Sequence, residues 1–275
     1  MSFEAIVLLP GGKLEEALLS IQSLEELGRT EPEGVYTITR TFFGNQAVLF
    51  DSHLDRLEES ARLEEIPLIL ERKPLRYAIR ELIARTQFDE ARLRISIPKQ
   101  HPERILIAVE PLNPIPEETR LRGVSVASHL ITRPNPKAKT NLWENLRADA
   151  REVLPIDVFE GVIRTKQGLL LEGFSSNFYA IESGVLRTSS ERILHGVARR
   201  IVLTVVGGYL PIDTRAVNID EMDRLDESFL SSSSRGVVPI IMIDGTTIRD
   251  GSPGPLTMEI INRYDAWVAS HLEPI

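Results

Sequence analysis

Three prolines in eight residues, in PLNPIPEE over 111–118, interrupt the chain near its middle. Proline fixes φ and removes a backbone donor, so neither a helix nor a central strand runs through such a stretch. A chain of 275 residues broken there should fold as two domains of ordinary size. We place an N-terminal α/β domain at 1–112, a linker at 113–119 and a larger C-terminal α/β domain at 120–275. Either half is long enough to bury a core of its own.

Both halves mix helical and strand periods, which points to an α/β (α+β) class. Leu14, Ala17, Leu18, Ile21 and Leu24 recur at helical spacing and predict a helix over 14–28. Residues 34–42 and 46–50 read as strands around Gly44-Asn45. A helix is expected over 53–64, where Leu54, Leu57 and Ala61 share a face and Ser52 with Asp55 forms a capping-box pattern. Another is expected over 74–87, followed by the strands ARLRISI and RILIAVE. Past the prolines come a strand at 124–131, the irregular loop ITRPNPKAKT, a helix at 142–153 and strands at 158–164 and 169–171. A helix starting near 197, the strand-like ESFLSS and VVPIIMIDG, and the closing helix TMEIINRYDAWVASHL complete the chain.

Composition narrows the chemistry. There is no cysteine, which excludes disulfides, cysteine-ligated metals and thiol catalysis, and no metal site is expected. A formal net charge of −8 argues against a nucleic-acid partner. No apolar run approaches the ~20 residues that span a membrane. The opening MSFEAIVLLPGGK reads as a strand and turn, not as a signal peptide, so a cytoplasmic location is expected. Only six residues are lysines: Lys13, Lys73, Lys99, Lys137, Lys139 and Lys166. Chemistry that needs a primary amine therefore has few candidates.

Lys139 lies in a loop before a helix whose expected N-cap is Asn141, with Glu144 as capping partner. The positive end of that helix favours a neutral amine, the form that adds to a carbonyl. Read locally, Lys137 and Lys139 are equally two solvated loop lysines. In LLLEGFSSNFYAI, Glu172 ends an apolar strand before a Gly/Ser turn. A carboxylate there can orient a heteroaromatic ring nitrogen, or be the solvated end of a hairpin. Gly196 precedes a helix, and four serines follow the strand in FLSSSSRGVVP, so both places offer N–H and hydroxyl donors for an anion. Arg56, in HLDRLEESA, lies off the apolar face and reads as an anion holder or as a surface partner of its glutamates. Neither a Walker-type loop nor a strand–GxGxxG–helix is present.

The order HLDRL, lysine, EGFSSN, LHGVAR, Ser-rich turn, DGTTIRDGSPGP resembles the class IV aminotransferase family, the fold type IV pyridoxal-phosphate enzymes. The likeness covers roughly residues 34 to 265, and EGFSSNF with its partner motifs is its specific part. It implies two α/β domains, the larger C-terminal one barrel-like and carrying the lysine, and a homodimer. It implies a transaminase moving an amino group between an amino acid and a keto acid by a ping-pong cycle. Lys139 looks like the Schiff-base lysine, with Lys137 as competitor. Glu172 looks like the carboxylate paired with the pyridine nitrogen. Arg56, backbone groups of Val197 and Ala198, and Ser233 look like the phosphate cup, with Ser175 also at the cofactor.

The sequence departs from the family pattern in places. The family's YGDGVFE stretch is EGVYTITR here, so Thr37 stands where a glutamate is usual. That threonine is similar to the aminodeoxychorismate lyases of the same family, which release pyruvate, and a lyase is the alternative activity. A catalytically silent ligand-binding relative is the third reading. Ala198 replaces the threonine, and His195 the proline, of the family's LPGITR. Thr37, Arg40, Arg94 and Ser234 are the expected substrate-binding residues, the two arginines as carboxylate holders or as strand ion pairs.

Overall fold

The computed structural model describes residues 3–17, 19–86 and 88–275. By its internal contacts the chain forms two compact units. One comprises the chain up to Asn113 with 137–146 and 271–275, and the other comprises 114–136 and 147–270.

In the first unit the strands are β1 (Glu4–Leu8), β2 (Leu14–Glu16), β3 (Gly34–Arg40), β4 (Gln46–Val48), β5 (Ala91–Pro98) and β6 (Ile105–Pro111). The helices are α1 (Leu24–Thr30), α2 (Phe50–Leu63) and α3 (Arg72–Thr86). Five strands make one antiparallel sheet in the order β2-β1-β6-β5-β3. The alternation of side chains assigns each face its cover. Val35, Leu93, Ile95 and Ile107 meet Leu54 and Leu57 of α2 and Ile79 and Leu82 of α3 in one buried cluster. On the other face Ala5 and Ala108 pack against Leu24 and Leu27 of α1.

Two local expectations fail here. The helix expected over 14–28 is the short strand β2 followed by α1, because Ser23 caps α1 by accepting from the Glu26 N–H at 3.1 Å. Leu18, one of its apolar positions, lies outside the described residues, as does Gln87 at the end of the helix expected over 74–87. The Ser52/Asp55 capping box is not formed. The helix starts two residues before Ser52, at Phe50, after Leu49 turns the chain at φ 48°, and the Phe50 N–H is capped at 2.7 Å by the distant Glu273 carboxylate.

The second unit contains α4 (Glu117–Arg122), β7 (Val124–Leu130), β8 (Glu160–Arg164), β9 (Leu169–Gly173), β10 (Asn177–Glu182), β11 (Val185–Arg187), β12 (Ile212–Asp213), β13 (Val217–Asn218), β14 (Glu227–Ser232), β15 (Gly236–Ile243) and β16 (Thr246–Thr247). Between α4 and the later helices, α5 (Asn141–Glu152) starts in the first unit and ends in the second. Helices α6 (Val197–Val206) and α7 (Pro255–Ser270) follow, and a last strand, β17 (Leu272–Pro274), pairs with β4 back in the first unit. Strands β10-β14-β15-β7-β8-β9 run in that order, and β9 pairs with β10, so the sheet closes into a barrel. Closure leaves these strands without a free edge. Val126, Val162, Phe178, Leu230 and Val238 fill one buried cluster of this unit. Helix α7 packs on β15 and α6 on β14.

The division differs from the sequence expectation in one respect that bears on chemistry. The segment 137–146, with Lys139, belongs to the first unit and not to the C-terminal domain. Backbone pairing is the reason: the Tyr36 N–H donates to the Lys139 carbonyl at 3.0 Å, and Val35 and Thr140 form an antiparallel bridge. Part of the expected linker, from Glu117 on, is helical.

Candidate active site

In the first unit, strand β3 presents alternate residues to opposite faces, and the candidates divide accordingly. Thr37 faces α2. Its hydroxyl accepts from Arg56 Nη2 at 2.9 Å and lies 3.2 Å from His53 Nδ1. Arg56 Nη2 is also 3.4 Å from His53 Nδ1. Burial, with the nearby charges of Arg56 and Lys139, holds the His53 imidazolium pKa well below its usual value, so this ring is neutral. Ser60, one turn after Arg56 on α2, accepts from the Lys139 N–H at 3.1 Å. Lys139 Nζ sits 4.6 Å over the Tyr36 ring. Lys137 is exposed, and its charge acts on the exposed carboxylate of Glu59 instead. Structure thus separates two lysines that local sequence left equal.

Asn141 does not cap its helix. Thr140 Oγ1 accepts from the Trp143 N–H at 3.4 Å, while Asn141 Oδ1 accepts from the Gly34 N–H at 2.9 Å. Glu144 does not close a capping box either. It accepts from Arg94 Nη1 at 3.1 Å and Nη2 at 2.9 Å. Arg94 also donates to Glu31 and, at 2.9 Å through Nε, to Ser96, and its guanidinium lies 3.8 Å over the Tyr36 ring. The side chain is 0% exposed. Arg94 is therefore a buried ion-pair partner in this structure, the ion-pair alternative of the sequence reading. Arg40 is paired with Glu90 at 2.7 Å and stacks over Phe42, the ion-pair alternative of the sequence reading.

In the second unit Glu172 ends β9, only 2% exposed. One carboxylate oxygen accepts from Arg133 Nη1 at 2.8 Å, and the other accepts from the Leu194 N–H at 3.0 Å with Asn177 Nδ2 at 3.5 Å. Asn177 donates at 2.8 Å to the Leu194 carbonyl, tying the carboxylate's strand to the approach to α6. Helix α6 begins at Val197 and Ala198 without a side-chain cap. A Cβ on Gly196, at the α6 N-cap, would stand 2.5 Å from Asn177 Oδ1, so a larger residue there would have to displace the Asn177 side chain. Uncapped first-turn N–H groups at the positive end of a ten-residue helix form an anion cradle. Arg199 in its first turn is buried and donates to the Ser189 carbonyl at 3.0 Å.

The serines divide by role. Ser233 and Ser234 occupy the half-buried turn between β14 and β15. Ser175 is held within this unit: its hydroxyl donates to Glu160 at 2.7 Å and accepts from Arg235 at 2.9 Å. Arg235 also pairs with Glu160 at 2.8 Å, and these contacts hold the buried Glu160 carboxyl below its usual range against the cost of burial. His53 and Arg133 escaped the sequence reading. His53 lay inside the quoted HLDRL motif, whereas a single arginine in ITRPNPKAKT carries no signal of its own.

Comparison with known proteins identifies the chemistry to which this donor set belongs. The amino-transferase class IV family model matches residues 34–243. The chain is 29% identical over 273 residues to the D-alanine aminotransferase of Bacillus licheniformis, across 90% of this chain and 92% of that one. The D-alanine aminotransferase of Listeria monocytogenes is 24% identical over 264 residues, with 86% and 87% covered. Among solved structures, a T.th. branched-chain amino acid aminotransferase with pyridoxamine 5′-phosphate superposes with a TM-score of 0.82 at 18% identity, covering 98% of each chain. A hypothetical aminotransferase from Mycobacterium tuberculosis in its PLP-bound form gives 0.77 at 21% identity, with 97% and 99% covered. At those identities the structures speak for the fold alone. The chain belongs to the class IV aminotransferases. It is a transaminase of fold type IV, its cofactor is pyridoxal 5′-phosphate, and the lyase alternative is not favoured.

The residues present fit that cofactor. A buried strand-end carboxylate suits a protonated ring nitrogen, an uncapped helix N-terminus suits a phosphate, and a half-buried lysine is placed against an aromatic ring.

Proposed function

We propose that the enzyme transfers the amino group of a small amino acid to a keto acid by a ping-pong cycle, with Lys139 as its reactive amine. The observation that carries this reading is the setting of Lys139, half-buried over the Tyr36 ring and beside a neutral His53, while its competitor Lys137 is exposed. Bound pyridoxal phosphate supplies an electron sink that stabilises negative charge at the substrate Cα. Lys139 then moves a proton at that carbon as general base and acid. Arg133 and the Leu194 N–H hold the Glu172 side chain in place, and Glu172 would pair with the ring nitrogen. On the family resemblance, Arg56 would hold the phosphate, as would the N–H groups of Val197 and Ala198 and the Ser233 hydroxyl.

Names of the similar proteins make D-alanine the first donor to test. Ser234 is kept as a substrate contact on the family resemblance. The same resemblance supports a homodimer acting in the cytoplasm, and size-exclusion chromatography tests the dimer. The activity is tested by adding D-alanine, or separately L-branched-chain amino acids, to the holoenzyme without an acceptor. The reading expects the cofactor's visible absorbance to be lost with one donor and restored by a keto acid. An unchanged spectrum with every donor, or pyruvate formation from aminodeoxychorismate without acceptor, would contradict it.

A further inference from the structure

The contacts of Thr37 do not suit a substrate-binding residue. It is 1% exposed, and its hydroxyl is engaged on both sides by protein groups. Arg56 only donates, so the hydroxyl oxygen accepts that bond and its proton is left for His53. His53 Nδ1 faces the hydroxyl at 3.2 Å and Arg56 Nη2 at 3.4 Å, and both can donate to it. A proton on Nδ1 would point at two donors. With two donors facing Nδ1, we assign it as the acceptor and place the ring hydrogen on Nε2. The ring is buried among cations, which keeps it neutral and preserves its role as acceptor.

We propose that Thr37 is a positioning residue for the cofactor phosphate. Its hydroxyl links the Arg56 guanidinium to neutral His53 and so fixes the direction in which Arg56 presents its remaining donors. All three residues come from two packed elements, β3 and α2, so the link is rigid: Thr37 is held by the sheet, and His53 and Arg56 sit one turn apart on the helix. Guanidinium binding of phosphate depends on the orientation of a planar fork, and a freed guanidinium loses more of that geometry than of its charge. The inference rests on Arg56 being the phosphate ligand, as proposed above.

The test compares pyridoxal phosphate with pyridoxal, which lacks the phosphate, binding to the full-length apo-protein by fluorescence titration. Three variants are used: Thr37→Val, which keeps the shape and removes the hydroxyl, Thr37→Ser, which keeps the hydroxyl, and Arg56→Ala. Thr37→Val should weaken pyridoxal phosphate binding by roughly tenfold, the scale of one hydrogen bond to a charged group, and leave pyridoxal unchanged. Thr37→Ser should bind both as wild type does. Arg56→Ala should reduce the preference for pyridoxal phosphate over pyridoxal by more than Thr37→Val does, the α6 N–H groups and Ser233 being left in place. If Arg56→Ala reduces it and Thr37→Val does not, the positioning role is wrong while the phosphate assignment stands. If Arg56→Ala keeps the discrimination, the phosphate assignment fails and the positioning role with it. Equal weakening of both ligands by Thr37→Val would also overturn the proposal, as would a Thr37→Ser variant no better than valine. Thermal unfolding of each variant accompanies the titrations. A Thr37→Val protein with lowered melting but unchanged phosphate discrimination assigns the hydroxyl to stability alone and refutes positioning.

Discussion

Arg94 offers a direct trial of the electrostatic reasoning, because the sequence leaves it a carboxylate holder or an ion-pair partner and the structure pairs it with two buried carboxylates. Replacing it with methionine keeps most of the stem's volume and removes the charge. Two carboxylates are then left inside the protein, Glu144 at 9% and Glu31 at 4% side-chain exposure, without their shared cation. Burial already outweighs Arg94 at Glu31 and lifts that carboxyl above its ordinary range. In the variant both groups escape the desolvation penalty by taking up protons. Protonating a carboxyl with an ordinary pKa of about 4.3 at about pH 7 costs roughly 3.7 kcal/mol. Protonating both would cost about 7 kcal/mol, an upper bound, and breaking a buried pair from one side costs about 3–5 kcal/mol in general, so Arg94→Met should destabilise the first unit by at least about 3 kcal/mol. The same arithmetic gives roughly 1 kcal/mol per carboxyl at about pH 5. The defect should therefore shrink as the pH falls, and adding Glu144→Gln should recover part of it. Urea unfolding followed by tryptophan fluorescence at the two pH values measures this, since Trp143 is buried beside Glu144 on α5. An Arg94→Met enzyme that unfolds like wild type, with only the KM for the substrate raised, would refute the account and restore Arg94 as a substrate ligand.

Other outcomes follow from the same contacts. Lys139→Ala should lower turnover by at least about 10²–10⁴-fold while unfolding within about 1 kcal/mol of wild type, and steady-state kinetics with circular dichroism checks both. His53 should make stability depend on pH below neutrality. Its imidazolium pKa is depressed in the folded protein, so the unfolded state binds the extra proton; stability is full above about 6.5 and falls as the pH drops toward the depressed value, by up to about 1.4 kcal/mol per pH unit. A His53→Asn variant should lose that slope in melting curves taken between about pH 7 and 5. Gly254→Ala should destabilise the second unit by about 1–3 kcal/mol. Its Cβ would fall 2.0 Å from the Glu227 carboxyl carbon, which caps α7 at the N–H groups of Leu256 and Thr257, and calorimetry measures the loss.

Motif order singled out Lys139, Glu172, Arg56 and the Val197–Ala198 helix start, and the places expected for them in the fold, a loop, the end region of a strand, a helix and a helix N-terminus, are those observed. The strands of the barrel were likewise visible as apolar runs, although sequence alone gave no sign that β9 returns to β10 and closes the sheet. Charged strand residues were not legible. Arg40 and Arg94 look alike in sequence, yet one lies at the sheet's end beside Glu90, and the other is buried against Glu31 and Glu144, 63 and 50 positions away. Capping failed for the same reason at Ser52 and Asn141. A distant carboxylate, Glu273, takes the first cap, and a neighbouring strand takes the Asn141 side chain. The unit to which Lys139 belongs was misread because its membership depends on pairing with β3, which leaves no trace in local composition.

The central claim is that one lysine of six carries the chemistry. Reduction of the holoenzyme with borohydride, followed by peptide mapping, tests it directly. The account predicts the phosphopyridoxyl label on Lys139 alone; a label on Lys137, Lys73 or Lys166 would contradict it.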